Sequence, residues 1–180
     1  MKSEIDIICD VSEKMETLKI PYMLTGSIAM NYYAEPRMTR DIDLVVVIGF
    51  EHVKPLVSVF SKEYYIEESC VKEAIQYVSM FNILHLDSVI KVDCIVRKSS
   101  EYRQLEFERR KRITINGMSI YIVSKEDLIL SKLFWAKASH SEFQLRDVRN
   151  LMATGYDREY VNKWKDSLGV DNLLNELKNE

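Results

Sequence analysis

Residues 26–48 read GSIAMNYYAEPRMTRDIDLVVVI, and two acids in that stretch, Asp41 and Asp43, stand at the mouth of an apolar run. A strand ordinarily takes neutral residues there. Two apart on an extended chain, both carboxylates point to the same face. Ile42 to Ile48 is β-branched and apolar apart from Asp43, the pattern of a strand covered on both faces, and Gly49 ends it. Upstream, Tyr22-Met23-Leu24 reads as a short strand closed by Thr25-Gly26. Ser27 to Ala34 reads as a helix of small and aromatic residues that stops before Pro36. Gly26-Ser27 therefore falls at a strand-to-helix turn.

Working outward, Ile5, Ile8, Val11, Met15 and Leu18 recur at helical spacing and predict an amphipathic first helix ending near Lys19, before Pro21. Val53, Leu56, Val57 and Phe60 predict a helix after the acidic strand. Tyr77 to Leu86 and Val89 to Val96 read as two strands joined at Asp87-Ser88 in a hairpin. In the second arm Lys91 and Asp93 share one face, and Val92, Cys94 and Val96 share the other. Arg97 to Arg112 is polar and mostly basic. Ile113 to Val123 then carries Asn116-Gly117, a strong hairpin signal. Ser124-Lys125-Glu126-Asp127 approaches a capping box ahead of a helix with Leu128, Leu130, Leu133 and Phe134. Glu142 to Ala153 and Tyr160 to Leu177 complete a helical C-terminal part.

This is an α+β pattern: a mixed sheet flanked by helices. The change in character near Val96 to Ser100 suggests a core over residues 1–97 and a hairpin-and-helix part over 98–180, packed together or forming one domain. Of the 180 residues, 47% are hydrophobic, enough to fill a core, and a net charge of −3 sets up no global field toward nucleic acid or an anionic membrane. Cys9, Cys70 and Cys94 fit neither a disulfide framework nor a metal knuckle and read as reduced core residues. The longest apolar run, Leu44 to Phe50, is too short to cross a bilayer. A soluble, cytoplasmic protein is expected.

Asp41 and Asp43 on one strand face, with Asp93 on a neighbouring strand, would make a cage of hard oxygen ligands suited to Mg²⁺ or Mn²⁺. Such ions can hold the attacking and leaving oxygens of a phosphoryl displacement. Gly26 and Ser27, opening a helix, would offer backbone N–H groups and a hydroxyl to the phosphates of a nucleotide. Each motif alone is more often strand-end solvation or plain turn chemistry. Their order along the chain, with Arg37 and Thr39 leading into the acids, is more specific.

The run LTGSIAMNYYAEPRMTRDIDLVV, with KVDCIV downstream, resembles the nucleotidyltransferase superfamily that includes DNA polymerase beta and the antibiotic nucleotidyltransferases. It is most similar to the branch of AbiEii-type toxins and related uncharacterised nucleotidyltransferase-like proteins, and the resemblance extends from about Tyr22 to Leu151. It implies that Asp41 and Asp43 bind two metal ions, and that Asp93 binds one and helps deprotonate an acceptor hydroxyl. By the same resemblance Gly26 and Ser27 hold the β- and γ-phosphates, Arg37 and Thr39 belong to the nucleotide site, and Lys132 and Asp147 complete it, with Lys125 or Lys137 competing for the lysine. The implied reaction is transfer of a nucleoside monophosphate from an NTP to RNA, protein or a small molecule, and the implied roles are those of a toxin paired with an antitoxin or of phage defence. The alternatives are an inactive nucleotide-binding module and an antitoxin-like partner protein of the same fold.

Other residues have plainer readings. His85 reads as a satisfied core histidine, and His52 and His140 as exposed. Tyr32 and Tyr33 read as packing. Arg109 to Arg112, diluted by Glu101, Glu106 and Glu108, reads as solvated surface.

Overall fold

The computed structural model describes residues 2–39, 41–139 and 141–179. Helix α1 (Glu4–Thr17) starts at Ser3, whose hydroxyl accepts from the Asp6 N–H while the Asp6 carboxylate accepts from the Ser3 N–H. Its stripe of Ile7, Ile8, Val11 and Met15 is buried. Strand β1 (Tyr22–Thr25) runs directly into α2 (Gly26–Tyr33), the expected strand-to-helix turn. Strand β2 (Asp41–Val46) follows, then a 3-10 turn (Phe50–His52) and α3 (Val53–Phe60).

Next come β3 (Tyr64–Tyr65), α4 (Glu68–Tyr77), β4 (Met80–His85) and β5 (Lys91–Val96). The second half comprises α5 (Glu101–Glu108), β6 (Lys111–Ile115), β7 (Met118–Ile122), α6 (Lys125–Ser139), α7 (Glu142–Ala153), α8 (Arg158–Lys165) and α9 (Asp171–Asn179). Among the described residues seven strands form one mixed sheet in the order β3-β4-β5-β2-β1-β7-β6. β2 pairs with β5 in parallel, β1 with β7 in parallel, and the remaining neighbours are antiparallel. Strands from both sides of residue 97 thus share one sheet.

The hairpin turn at Asn116-Gly117 has positive φ at both positions, 48° and 79°, the geometry that lets a two-residue turn match strand twist. Asp87-Ser88 likewise lies in the turn between antiparallel β4 and β5.

Several elements differ from the sequence reading. β2 is not covered on both faces: Ile42, Leu44 and Val46 are buried, whereas Asp43 and Val45 are half-buried and Asp41 is exposed, because their face borders a cleft. Tyr77 ends helix α4 rather than starting a strand, and Val78 leaves that helix in the left-handed region with φ of 48°. The expected long helix from Tyr160 to Leu177 is two helices broken at Gly169, whose φ is +63°. The polar stretch after Val96 contains α5, which buries Glu106 with Tyr102 and Phe107. Of the cysteines, Cys94 is buried and Cys9 half-buried, but Cys70 is exposed on α4, off that helix's buried stripe of Val71 and Ala74.

His85 is buried as expected, its Nδ1 2.9 Å from the Ser88 hydroxyl and its ring edge-on to Tyr64. His52 is half-buried rather than exposed, because its Nδ1 accepts from the Gly49 N–H at 3.1 Å. His140 lies outside the described residues. No helix of the described residues is long and apolar enough to cross a membrane.

Candidate active site

The register of β2 and β5 decides where the acids meet. Asp43 is the direct partner of Asp93, and Asp41 of Lys91, so the four side chains share one sheet face. Asp93 is only 8% exposed, and its Oδ1 is buried without a hydrogen-bond partner. Burial raises the Asp43 carboxyl to about 6, with the charges of Asp93 and Asp41 adding to the effect and those of Lys132 and Lys91 opposing it.

The three carboxylates do not close on one point: among the described residues no three acid, histidine or cysteine side chains are gathered tightly enough to hold a metal ion. The physical reason is Lys91. Its ammonium donates to Asp93 Oδ2 at 3.0 Å and stands 3.7 Å from Asp41 Oδ2, drawing those acids to itself instead of inward. The hydrogen bond to Asp93 holds the Lys91 ammonium charged above its ordinary range. The donor set still suits a hard divalent cation, since Asp43 and Asp93 face each other and Asp93 Oδ1 lacks a partner.

Directly beside the acids, just past Thr25, the β1 partner of Asp43, Gly26 has φ +64°, and a Cβ built on it would fall 1.9 Å from Asp43 Oδ2. The absent side chain makes room for Asp43 itself. Gly26, Ser27, Asp43, Asp93 and Lys132 line one cavity of about 260 Å³, together with Thr25, Ser131, Trp135 and Gln144.

Lys132 and Asp147 come together here as well. Lys132 Nζ donates to Asp147 Oδ2 at 2.8 Å and to Gln144 Oε1 at 3.1 Å. Arg37 donates to Asp147 through Nε and Nη2, both at 2.9 Å, and its Nη2 also donates to the Ser27 hydroxyl at 2.7 Å. Burial alone would raise the fully buried Asp147 carboxyl, but hydrogen bonds from Arg37 and Lys132 outweigh it and hold the carboxyl below its usual range. Burial lowers the Lys132 ammonium, with Asp147 acting against it.

The competing lysines lie elsewhere. Lys125 Nζ donates to the carbonyls of Thr154 and Gly155, and Lys137 lines a separate depression beside α9. Thr39 is not a wall of the cavity; its hydroxyl bonds the Asp41 carbonyl at 3.4 Å where the chain enters β2. Tyr33 packs, donating to the Val123 carbonyl, while Tyr32 is exposed. Arg109 is drawn into a buried network around Asp127, whereas Lys111 and Arg112 are exposed on β6.

The overall fold has counterparts among solved structures. A nucleotidyltransferase-like antigen of Paracoccidioides brasiliensis superposes with a TM-score of 0.66 at 16% identity, covering 96% of this chain and 86% of its own. The antibiotic-resistance factor ANT(2'')-Ia gives 0.63 at 15% identity over 96% of this chain and 95% of its own. The fold is that of the nucleotidyltransferases. A lincosamide antibiotic adenylyltransferase, LnuA, solved with lincomycin bound, gives 0.54 at 18% identity over 81% and 94% of the two chains. No protein-family model matches the sequence of this nucleotidyltransferase-fold chain. No curated protein matches it either.

Sequence reasoning had placed Lys91 on the face of Asp93 without assigning it a part. Ser131 and Trp135 were also missed, although Leu128, Ser131, Lys132 and Trp135 follow the three-and-four spacing of one helix face, and all four line the cavity. Gln144 carried no comparable signal.

Proposed function

We propose that the protein is a nucleotidyltransferase that moves a nucleoside monophosphate from an NTP to an acceptor hydroxyl, using Mg²⁺ or Mn²⁺. The observation carrying this reading is the direct pairing of Asp43 with Asp93 on the floor of a cavity walled by Gly26-Ser27 and Lys132. Asp43 and Asp93, joined by Asp41 when it leaves Lys91, are the residues that would hold the metal. When bound, the metal neutralises triphosphate charge and orients the attacking and leaving oxygens.

Gly26 and Ser27, at the N-terminus of α2, face the β- and γ-phosphates, and Lys132 offers them a cation. Arg37, clamped by Asp147, fixes the Ser27 hydroxyl. Asp93 accepts the proton of the acceptor hydroxyl as that oxygen bonds to the α-phosphorus. The bond from the α-phosphorus to its bridging oxygen breaks, and pyrophosphate carries the electron pair away.

The resemblance to AbiEii-type toxins supports an RNA or protein acceptor, a cognate antitoxin and a cytoplasmic setting. The antibiotic adenylyltransferases of this fold support a small-molecule acceptor instead. The two parts already drawn, 1–97 and 98–180, are further proposed to pack as a single domain around their shared sheet. A second reading, a nucleotide-binding module without catalysis, is favoured by Lys91 standing among the acids.

Incubation of the full chain with each NTP and Mg²⁺, with cell extract supplying the acceptor, should release pyrophosphate, and Asp43→Asn should not. Nucleotide binding without pyrophosphate above the level of that variant would favour the inactive module.

A further inference from the structure

Beyond the candidate active site, along the same sheet face, lies a second cavity of about 160 Å³. The two share Thr25, Ile95, Ser131 and Trp135 as walls. Ile95 and Arg97 follow Asp93 by two and four residues on its side of the strand, roughly 7 and 13 Å along it. Val45, Phe134 and Ala138 give this space an apolar lining. Its size is close to that of a roughly 150 Å³ apolar cavity known to accept benzene.

The charged groups at its rim are unevenly satisfied. Glu106, 4% exposed, is fully engaged, bonded by Arg103 at 2.8 and 3.0 Å and by the Ser131 hydroxyl. Arg97 is not. Its guanidinium lies 5.7 Å over the Phe107 ring and makes no hydrogen bond or ion pair among the described residues, and its Nε is buried without a partner. A buried, unpartnered donor is unusual enough to call for a partner, and for a cation that partner is an anion. Lys98, beside it, also makes no ion pair among the described residues and is exposed.

We propose that this cavity is the acceptor site, and that the acceptor is a small molecule with a ring-sized apolar body, an anionic group at one end and a hydroxyl at the other. The body lies between Ile95 and Phe134, the anion pairs with Arg97, and the hydroxyl reaches back past Ser131 toward Asp93. This assignment rests on the nucleotidyltransferase reading and narrows its acceptor.

Two probes of equal ring size test it on the full chain without nucleotide: 4-hydroxyphenylacetate, which carries a carboxylate, and 4-ethylphenol, which does not. By ligand-observed NMR the carboxylate probe should bind the wild type roughly tenfold more tightly, as expected for one charge-assisted hydrogen bond. Arg97→Met should erase that difference, and Ala138→Trp, which fills the cavity from the last turn of α6, should weaken both probes. Calorimetric binding of Mg²⁺-ATP should stay within twofold in both variants. Thermal unfolding checks that Ala138→Trp folds, and Arg97→Met decides the matter if it does not. Absence of binding by either probe, or equal binding of both to the wild type, would overturn the proposal. So would an Ala138→Trp protein that loses ATP as strongly as the probes, since the cavity would then hold the nucleobase. Probe binding without pyrophosphate release leaves the site standing and removes the transferase reading; pyrophosphate release with neither probe bound does the reverse.

Discussion

Asp43 carries an energetic signature that can be read in solution. Its folded carboxyl titrates near 6 against an ordinary 3.8, so between those values the folded chain holds a proton that the unfolded chain has released. Stability therefore falls as pH rises from about 4 to 6 and then levels off, by an amount on the order of 2–3 kcal/mol. Asp43→Asn should flatten that slope and leave the metal-free protein as stable as the wild type or more so. Mg²⁺, bound only by the folded state, should oppose the loss in the wild type and have no effect in the variant. Melting temperatures from pH 4.5 to 7, with and without Mg²⁺, test all of this; a variant that melts far lower without metal would mark Asp43 as scaffold. Lys91 invites the complementary experiment. Lys91→Met removes the resident cation, so the metal-free melting temperature should drop by no more than a few degrees, since the ion pairs are partly exposed. The Mg²⁺ concentration giving half-maximal stabilisation should fall as well, because no ammonium competes for Asp41 and Asp93. An unchanged Mg²⁺ midpoint would make Lys91 a bystander.

At the scale of elements, α2, the segment leading into β2, α6 and α7 are tied together by one buried carboxylate. Asp147 on α7 receives Lys132 of α6 and Arg37 of the segment before β2, and Arg37 in turn holds Ser27 of α2. Asp147→Asn would leave two cations facing a neutral amide, and breaking a buried pair from one side costs about 3–5 kcal/mol. Lys132→Met leaves the Arg37 pair intact, so its stability loss should be the smaller of the two while its ATP affinity falls. Denaturant unfolding with calorimetry on both variants separates the cases, and equal stability losses would mean that Arg37 does not compensate. The start of α6 is a second tie. Ser124 exchanges hydrogen bonds with Asp127, which also receives Arg109 and Tyr160. Ser124→Ala should cost about 1–2 kcal/mol by denaturant unfolding.

These elements also show what the sequence could and could not reveal. β2 and β5 were legible because β-branched periodicity and the odd placement of acids pointed to the same face, and the Asn116-Gly117 turn was legible from its local chemistry. α5 was not, because its buried stripe includes Glu106, whose partners Arg103 and Ser131 lie three and twenty-five residues away. α4 escaped notice because only Val71 and Ala74 are buried on it. The acids at the site were visible as residues, but Lys91's insertion among them depends on the register between β2 and β5, which no local pattern encodes. Lys132 could not be separated from Lys125 and Lys137 until the packing of α6 against α7 was known.

Across the whole molecule, the sheet joins the two halves of the chain. β1 is flanked by β2 from the first half and β7 from the second, and the buried residues of both belong to one core. Thermal unfolding should therefore be a single transition, and Mg²⁺ should move all of it rather than a part. Two resolved calorimetric transitions, only one of them sensitive to Mg²⁺, would show that residues 1–97 and 98–180 unfold independently.

The parallel pairing of β1 with β7 also has a bearing on how the chain is made. Leu24 meets Ile122, so one edge of β1 stays open until about a hundred further residues have been synthesised. At roughly 5–20 residues per second, that is some 5–20 seconds during which a strand of four buried residues has bare backbone groups on one side. Such an edge recruits whatever extended chain comes near it. A ribosome pausing between β5 and β6 would hold an adhesive half-sheet, so slower synthesis through residues 97–122 should raise the aggregated fraction of newly made protein even though the finished fold is unaltered.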